Sequence, residues 1–162
     1  MSLSKQILIL AFISILTAPL VLAHDGAKNS SDADKRVRAV LLENASAVER
    51  GDLSAIQALW ANDDGVTVFE GGYVNRGWVD YRDNHLGPEL AEMKNVRYTL
   101  DEIRVHLAGA TAWATFEYSI SGSTAKEGAF SGSGLGTAVL ENRRGKWRIV
   151  HWHSSSKPRS EP

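Results

Sequence analysis

One carboxylate sits in a run that otherwise suits a half-buried strand. In residues 111–120, Trp113, Thr115, Glu117 and Ser119 alternate with Ala112, Ala114, Phe116 and Tyr118, and successive strand side chains point to opposite faces. If the Glu117 face lines a pocket, burial raises the carboxyl pKa and suits the group to general acid or base chemistry. The competing role is a solvated carboxylate, or one paired with Arg97 or Arg104. Histidines supply a second set. His151 and His153 are two apart in a strand-like run, which places them on one face with α-carbons about 7 Å apart. Such a pair can share a metal ion, with His85 as a third ligand, or simply pack against aromatic side chains. The spacing specifies little, and no metal and no cofactor are expected.

A helical segment carries the third group. Trp78, Tyr81 and His85 recur at spacings of three and four, so one helix face presents all three. His85 is a second candidate catalytic residue beside Glu117. Trp78, Tyr81, Tyr98, His151 and His153 are candidate ligand contacts, because a small-molecule pocket is mostly apolar with a few polar groups. Trp78 and Tyr81 serve equally well as ordinary helix packing. Nucleophile chemistry has no signature. There are no cysteines, and Gly132-Ser133-Gly134 is only a fragment of a nucleophile elbow. The glycines at 132, 134 and 136 are not followed by the helix start and Lys-Ser/Thr of a phosphate loop.

The elements that position these residues follow from pattern. Val37, Val40, Leu41, Asn44 and Val48 have helical spacing, with Gly51 as the stop. Asp52 caps a short second helix with Leu53, Ile56, Leu59 and Trp60 on its apolar stripe. Residues 66–70 form a strand, Gly71-Gly72 a turn, and residues 73–76 a short partner. Residues 77–93 are helical, interrupted by Gly87-Pro88. Long strands follow over 96–107, with a slip near Asp101-Glu102, then 111–120, 125–141 and 146–154. Simple alternation in the last strand puts Trp147, Ile149, His151 and His153 on one face and Arg148, Val150 and Trp152 on the other. Both faces therefore need cover. Helices first and a long antiparallel sheet afterwards define an α+β architecture.

The ends differ in composition. Residues 1–23 are expected to be a secretory signal peptide, with Lys5, an apolar run over 7–16, Pro19 and Ala23 before the cut. Residues 24–34 are polar and expected to be a flexible leader, residues 35–155 one domain, and residues 156–162 a disordered tail. The protein is thus expected to be exported, periplasmic or secreted, with no stable membrane insertion after cleavage. The 18 basic residues against 19 acidic ones form no basic stripe, so nucleic acid is not an expected partner. An exported domain without disulfides depends on packing alone.

The order of elements, Val68-Phe69-Glu70 followed by Gly77-Trp78-Val79-Asp80-Tyr81, and the run from Trp147 to Ser155 together resemble the nuclear transport factor 2-like superfamily (SnoaL-like, ketosteroid-isomerase-like). The nearest branch is the association domain of calcium/calmodulin-dependent kinase II and its small bacterial relatives, which end in a similar Trp-x-x-Val-His-x-His run. The resemblance implies a cone-shaped, curved antiparallel sheet wrapped around amino-terminal helices and enclosing a pocket. It further implies a homo-oligomer, a dimer or larger, that buries the outer sheet face. That branch tends to carry a basic pocket residue on the strand matching 111–120, where this chain has Glu117. Function does not follow from fold. The first expectation is a small-molecule-binding or oligomerisation domain; the alternative is an isomerase, cyclase or hydrolase using acid–base chemistry.

Overall fold

A computed structural model describes residues 22–156. The expected signal peptide falls almost wholly outside these residues, as do residues 157–162 of the expected tail. Two long-range facts set the architecture: a six-stranded sheet in the order β2-β1-β6-β5-β4-β3, and a long first helix lying across it.

Helix α1 (Leu22–Glu49) includes residues 24–34, where composition alone predicts a leader. Pairs one turn apart, Asp32 with Arg36 and Asp34 with Arg38, join the end of that stretch to the rest of the helix. Its core stripe is Val37, Leu41, Asn44, Ala45 and Val48, all buried. Arg38 also donates through Nη1 to the Ile103 carbonyl at 2.5 Å, fastening α1 to the edge of the sheet. Helix α2 (Leu53–Leu59) begins where the Asp52 side chain accepts from Ala55 N–H. Among the described residues no helix is long and apolar enough to cross a membrane.

Strands β1 (Thr67–Glu70) and β2 (Tyr73–Arg76) form a hairpin. The chain then turns through α3 (Trp78–Tyr81), a π-helical turn (Arg82–Leu86) and α4 (Gly87–Glu92). The expected interruption at Gly87-Pro88 takes this form because Pro88 has no N–H to give the helical ladder. Gly87 packs so tightly over the turn that an added Cβ would lie 2.7 Å from the Arg82 carbonyl oxygen. The remaining strands β3 (Lys94–Ala108), β4 (Thr111–Thr124), β5 (Gly128–Arg143) and β6 (Lys146–Ser156) are antiparallel neighbours. One pairing breaks the antiparallel order: β1 runs parallel to β6.

Curvature comes from bulges and from glycine. The register of β3 shifts between Asp101 and Arg104, with Glu102 at φ 50°, at the slip that the sequence predicts. In β5, a Cβ on Gly136 would lie 2.1 Å from the Phe116 ring, and one on Gly134 2.7 Å from Tyr118. Both rings of β4 therefore pack over bare backbone, which lets the sheet bend strongly.

The last strand departs from simple alternation. Val139 pairs with His151 but Leu140 pairs with Ile149, leaving Val150 as an extra residue on β6. The bulge exchanges the faces beyond it. Trp147 and Ile149 point into the core before it, and Trp152 and Ser154 after it. His151 and His153 consequently do not share a face with Trp147 and Ile149; they lie on the outer face beside Phe69, with ring centroids 5.3 and 6.1 Å away.

Candidate functional site

The concave side of the sheet and the helical segment over 78–92 enclose a cavity of about 180 Å³. Its wall is largely aromatic: Trp60, Tyr81, Tyr98, Tyr118 and Trp152. Trp60 is the keystone of this wall. It is 2% exposed, donates through Nε1 to Asn44 Oδ1 at 2.8 Å, and meets Trp78, Tyr81 and Trp152 at 5.2 to 6.3 Å between centroids.

The polar centre of the cavity is Glu70. It ends β1, two residues after the fully buried Val68, so strand alternation aims it to the same inner side. The parallel register sets Glu70 opposite Ser154, whose hydroxyl donates to Glu70 Oε1 at 3.2 Å. The Tyr81 hydroxyl is a second donor to this carboxyl. Burial raises the pKa of Glu70 above the usual carboxylate value, with the nearby Glu89 carboxylate adding to the rise. The His85 charge and the two hydroxyl donors act the other way. Burial and the neighbouring Glu70 push Tyr81 well above the ordinary phenol range, and burial does the same to Tyr98. Both tyrosines therefore remain protonated donors at any physiological pH.

Around this carboxyl runs a connected polar chain. His85, with a side chain 10% exposed, places Nδ1 2.7 Å from Asn75 Oδ1 and Nε2 3.2 Å from Glu89 Oε1. The amide orientation of Asn75 follows from its Nδ2 donating to Asp80 at 3.2 Å, which leaves Oδ1 facing the imidazole. Asp80 in turn accepts from Asn84 and from the Arg76 N–H, and these bonds hold its carboxyl below the ordinary range. The rings of Tyr73 and Tyr81 each lie 5.4 Å from the imidazole, the first tilted and the second edge-on.

The sequence-derived candidates scatter. Tyr81 and Tyr98 line the cavity, and His85 touches its wall through Tyr81 and Glu89. Trp78 is buried behind Trp60, with its indole N–H lacking an acceptor, and does not reach the cavity surface. Glu117 belongs to the outer face. Ala112, Ala114 and Phe116 are the buried set of β4, so the face of Trp113 and Glu117 points away from the core and lies in a surface groove with Glu102 and Arg104. His151 and His153 are likewise outside, where His151 bonds Thr67 Oγ1 at 2.7 Å and burial with the adjacent His153 lowers its pKa. Among the described residues no group of three His, Asp or Glu side chains is arranged to hold a metal ion.

Sequence reasoning passed over Glu70, although its signal was present. A lone carboxylate closes the run Val66-Thr67-Val68-Phe69 in phase with the two inward valines and directly before Gly71-Gly72. Glu89 was missed because its role depends on where α4 lies across the sheet.

An α+β cone with a curved six-stranded sheet and an amino-terminal helix is the nuclear transport factor 2-like fold. Residues 37–159 match the SnoaL-like domain model, and the chain belongs to that family. Solved structures carry the same fold. A nuclear transport factor 2-like superfamily protein from Salmonella enterica superposes with TM-score 0.75 at 18% identity, covering 82% of this chain and 96% of that one. A candidate calcium/calmodulin dependent protein kinase II association domain from Xanthomonas campestris gives 0.64 at 21% identity, covering 75% and 86%. A candidate ketosteroid isomerase from Shewanella frigidimarina gives 0.61 at 25% identity, covering 72% and 91%. No curated protein matches the chain.

Proposed function

We propose that this SnoaL-like domain binds a small molecule in the cone cavity and that Glu70 exchanges a proton with it. A cavity of about 180 Å³ suits a ligand near the size of one substituted six-membered ring, since an engineered cavity of about 150 Å³ takes up benzene. The observation that carries the reading is the Glu70 carboxyl in the cavity wall, its pKa raised by burial and its oxygens met by Ser154 and Tyr81. A carboxyl brought nearer to neutrality gains and loses a proton readily, as general acid–base chemistry requires. A thermal-shift screen of one-ring molecules against wild type and Glu70→Gln tests this. Polar ring compounds raise the wild-type Tm, and the variant loses the response to those that contact the carboxyl. A screen in which no ring-sized compound shifts either protein overturns the reading.

A second proposal concerns the outer face. Trp113 and Leu135 stay 42% and 53% exposed on adjacent strands, and Phe69, His151 and His153 extend the same face. We propose that a second copy covers it in a homodimer or larger assembly. Sedimentation analysis shows more than a monomer if this holds, and Leu135→Glu shifts the population to monomer; a wild-type monomer at millimolar concentration removes the proposal. Export is proposed from the apolar run over 7–16, and amino-terminal sequencing of the protein from cell fractions tests it.

A further inference from the structure

The inner cavity has an uneven chemistry. Two carboxylates, Glu70 and Glu89, stand in its wall, and no Lys or Arg is among the described lining residues. The other polar groups are hydroxyls and one amide, and tyrosine and tryptophan rings supply much of the remaining surface. The approach carries the same bias. A wider opening shares Glu70 and Glu89 with the inner cavity and adds Glu92 and Glu127 against a single basic residue, Lys126. Phe130 and Ile120 make the apolar side of this opening.

From this arrangement we infer that the cavity selects an organic cation: a protonated primary or secondary amine on a body about the size of one ring, with its ammonium between Glu70 and Glu89 and its apolar part against the aromatic wall. The inference rests on the proposed role of the cavity and narrows it to one ligand class. An ammonium donates to carboxylates, is attracted by the faces of tyrosine and tryptophan rings, and is drawn toward an acidic opening. An anionic ligand meets these two carboxyl groups and no Lys or Arg among the described lining residues. The groups that face Glu70 are Tyr81 from α3, His85 from the π-helical turn, Glu89 from α4, Tyr98 from β3 and Ser154 from β6. His85 sits behind Glu89 and outside the cavity lining. Whichever charge its ring carries, ionised Glu70 and Glu89 leave the group negative.

Binding is also linked to protonation. Burial shifts the balance of Glu70 toward its neutral acid. An arriving ammonium stabilises the carboxylate over the acid, so a bound ligand lowers the pH at which Glu70 takes up its proton. Affinity therefore falls as pH drops through the titration of Glu70.

Isothermal titration of the purified protein with benzylamine, benzyl alcohol and benzoate separates the possibilities. Benzylamine, protonated at neutral pH, binds about 10- to 100-fold more tightly than benzyl alcohol, the difference expected of a hydrogen bond between charged groups. Its affinity falls as the pH is lowered. Glu70→Gln removes both the preference and the pH dependence, and Glu89→Gln, on the more exposed α4, weakens the preference as a second, fold-neutral test. Equal or tighter binding of benzyl alcohol or benzoate overturns the cation inference while the cavity remains a ligand site. Persistence of the pH dependence in Glu70→Gln overturns the assignment of the proton to Glu70. Failure of all three probes to bind overturns the proposed function as well.

Discussion

The two faces of one sheet treat the same residue types in opposite ways. On the inner face, Trp60 is 2% exposed and locked by a hydrogen bond and three ring contacts. On the outer face, Trp113 is 42% exposed and stacks on His106, at 5.1 Å. Carboxylates divide in the same manner. Glu70 is drawn into the wall of the cavity, where burial alters its acidity, whereas Glu117 stands in an open surface groove. Histidines divide too, with His85 tied into the polar chain behind the cavity and His151 and His153 outside. Residue type thus says little about chemical potential here. The face decides it, because enclosure by apolar walls, not sequence identity, sets the dielectric around a charge.

The largest test of this contrast compares the two tryptophans. Trp60→Ala empties the cavity wall and leaves the Asn44 side chain without its buried donor, and should destabilise the protein by about 3–5 kcal/mol. Trp113→Ala on the outer face should lose about 1 kcal/mol or less. Urea denaturation of both variants reads the difference, and equal losses would break the contrast.

Glycine gives the next effect. Gly136→Ala drives a Cβ into the Phe116 ring, at 2.1 Å before relaxation, and should cost about 1–3 kcal/mol. Gly132→Ala, four residues earlier on the same strand, meets nothing closer than 3.8 Å and should be near neutral. Similar denaturation midpoints for the two would mean that the close aromatic packing on β5 is not what bends the sheet.

The smallest effect is one of pH. Burial raises the folded-state pKa of Glu70 above its unfolded value, so the folded state holds the proton more tightly. Stability then falls as pH rises from the unfolded value through the folded one, and levels off above it. The amide in Glu70→Gln does not titrate. Its Tm relative to wild type should therefore rise across that window and stay constant below it. A pH-independent difference would mean that the Glu70 carboxyl is open to water.

Much of the fold was legible in the chain. The helical spacing of Val37, Leu41, Asn44 and Val48, the Asp52 cap, the Gly71-Gly72 turn and the slip at Asp101-Glu102 all reappear as structure. They are local signals, set by φ/ψ preference and by the burial of one stripe. The candidate site was less legible. Tyr81 and Tyr98, two of the candidate ligand contacts, line the cavity. For Glu117 the sequence left the pocket and the solvated role open, because alternation shows which residues share a face and not which face is inside.

Sequence alone determined the order of elements and the family resemblance, since hydrophobic period and turn chemistry act over a few residues. Tertiary structure alone decided three things: the parallel pairing of β1 with β6, the Val150 bulge that sends His151 and His153 outward, and the meeting of Glu70 with Ser154, Tyr81 and Glu89. Each depends on contacts between segments up to 84 residues apart. The free energy of such contacts comes from closing the cone around its aromatic wall, and no local stretch of chain contains it.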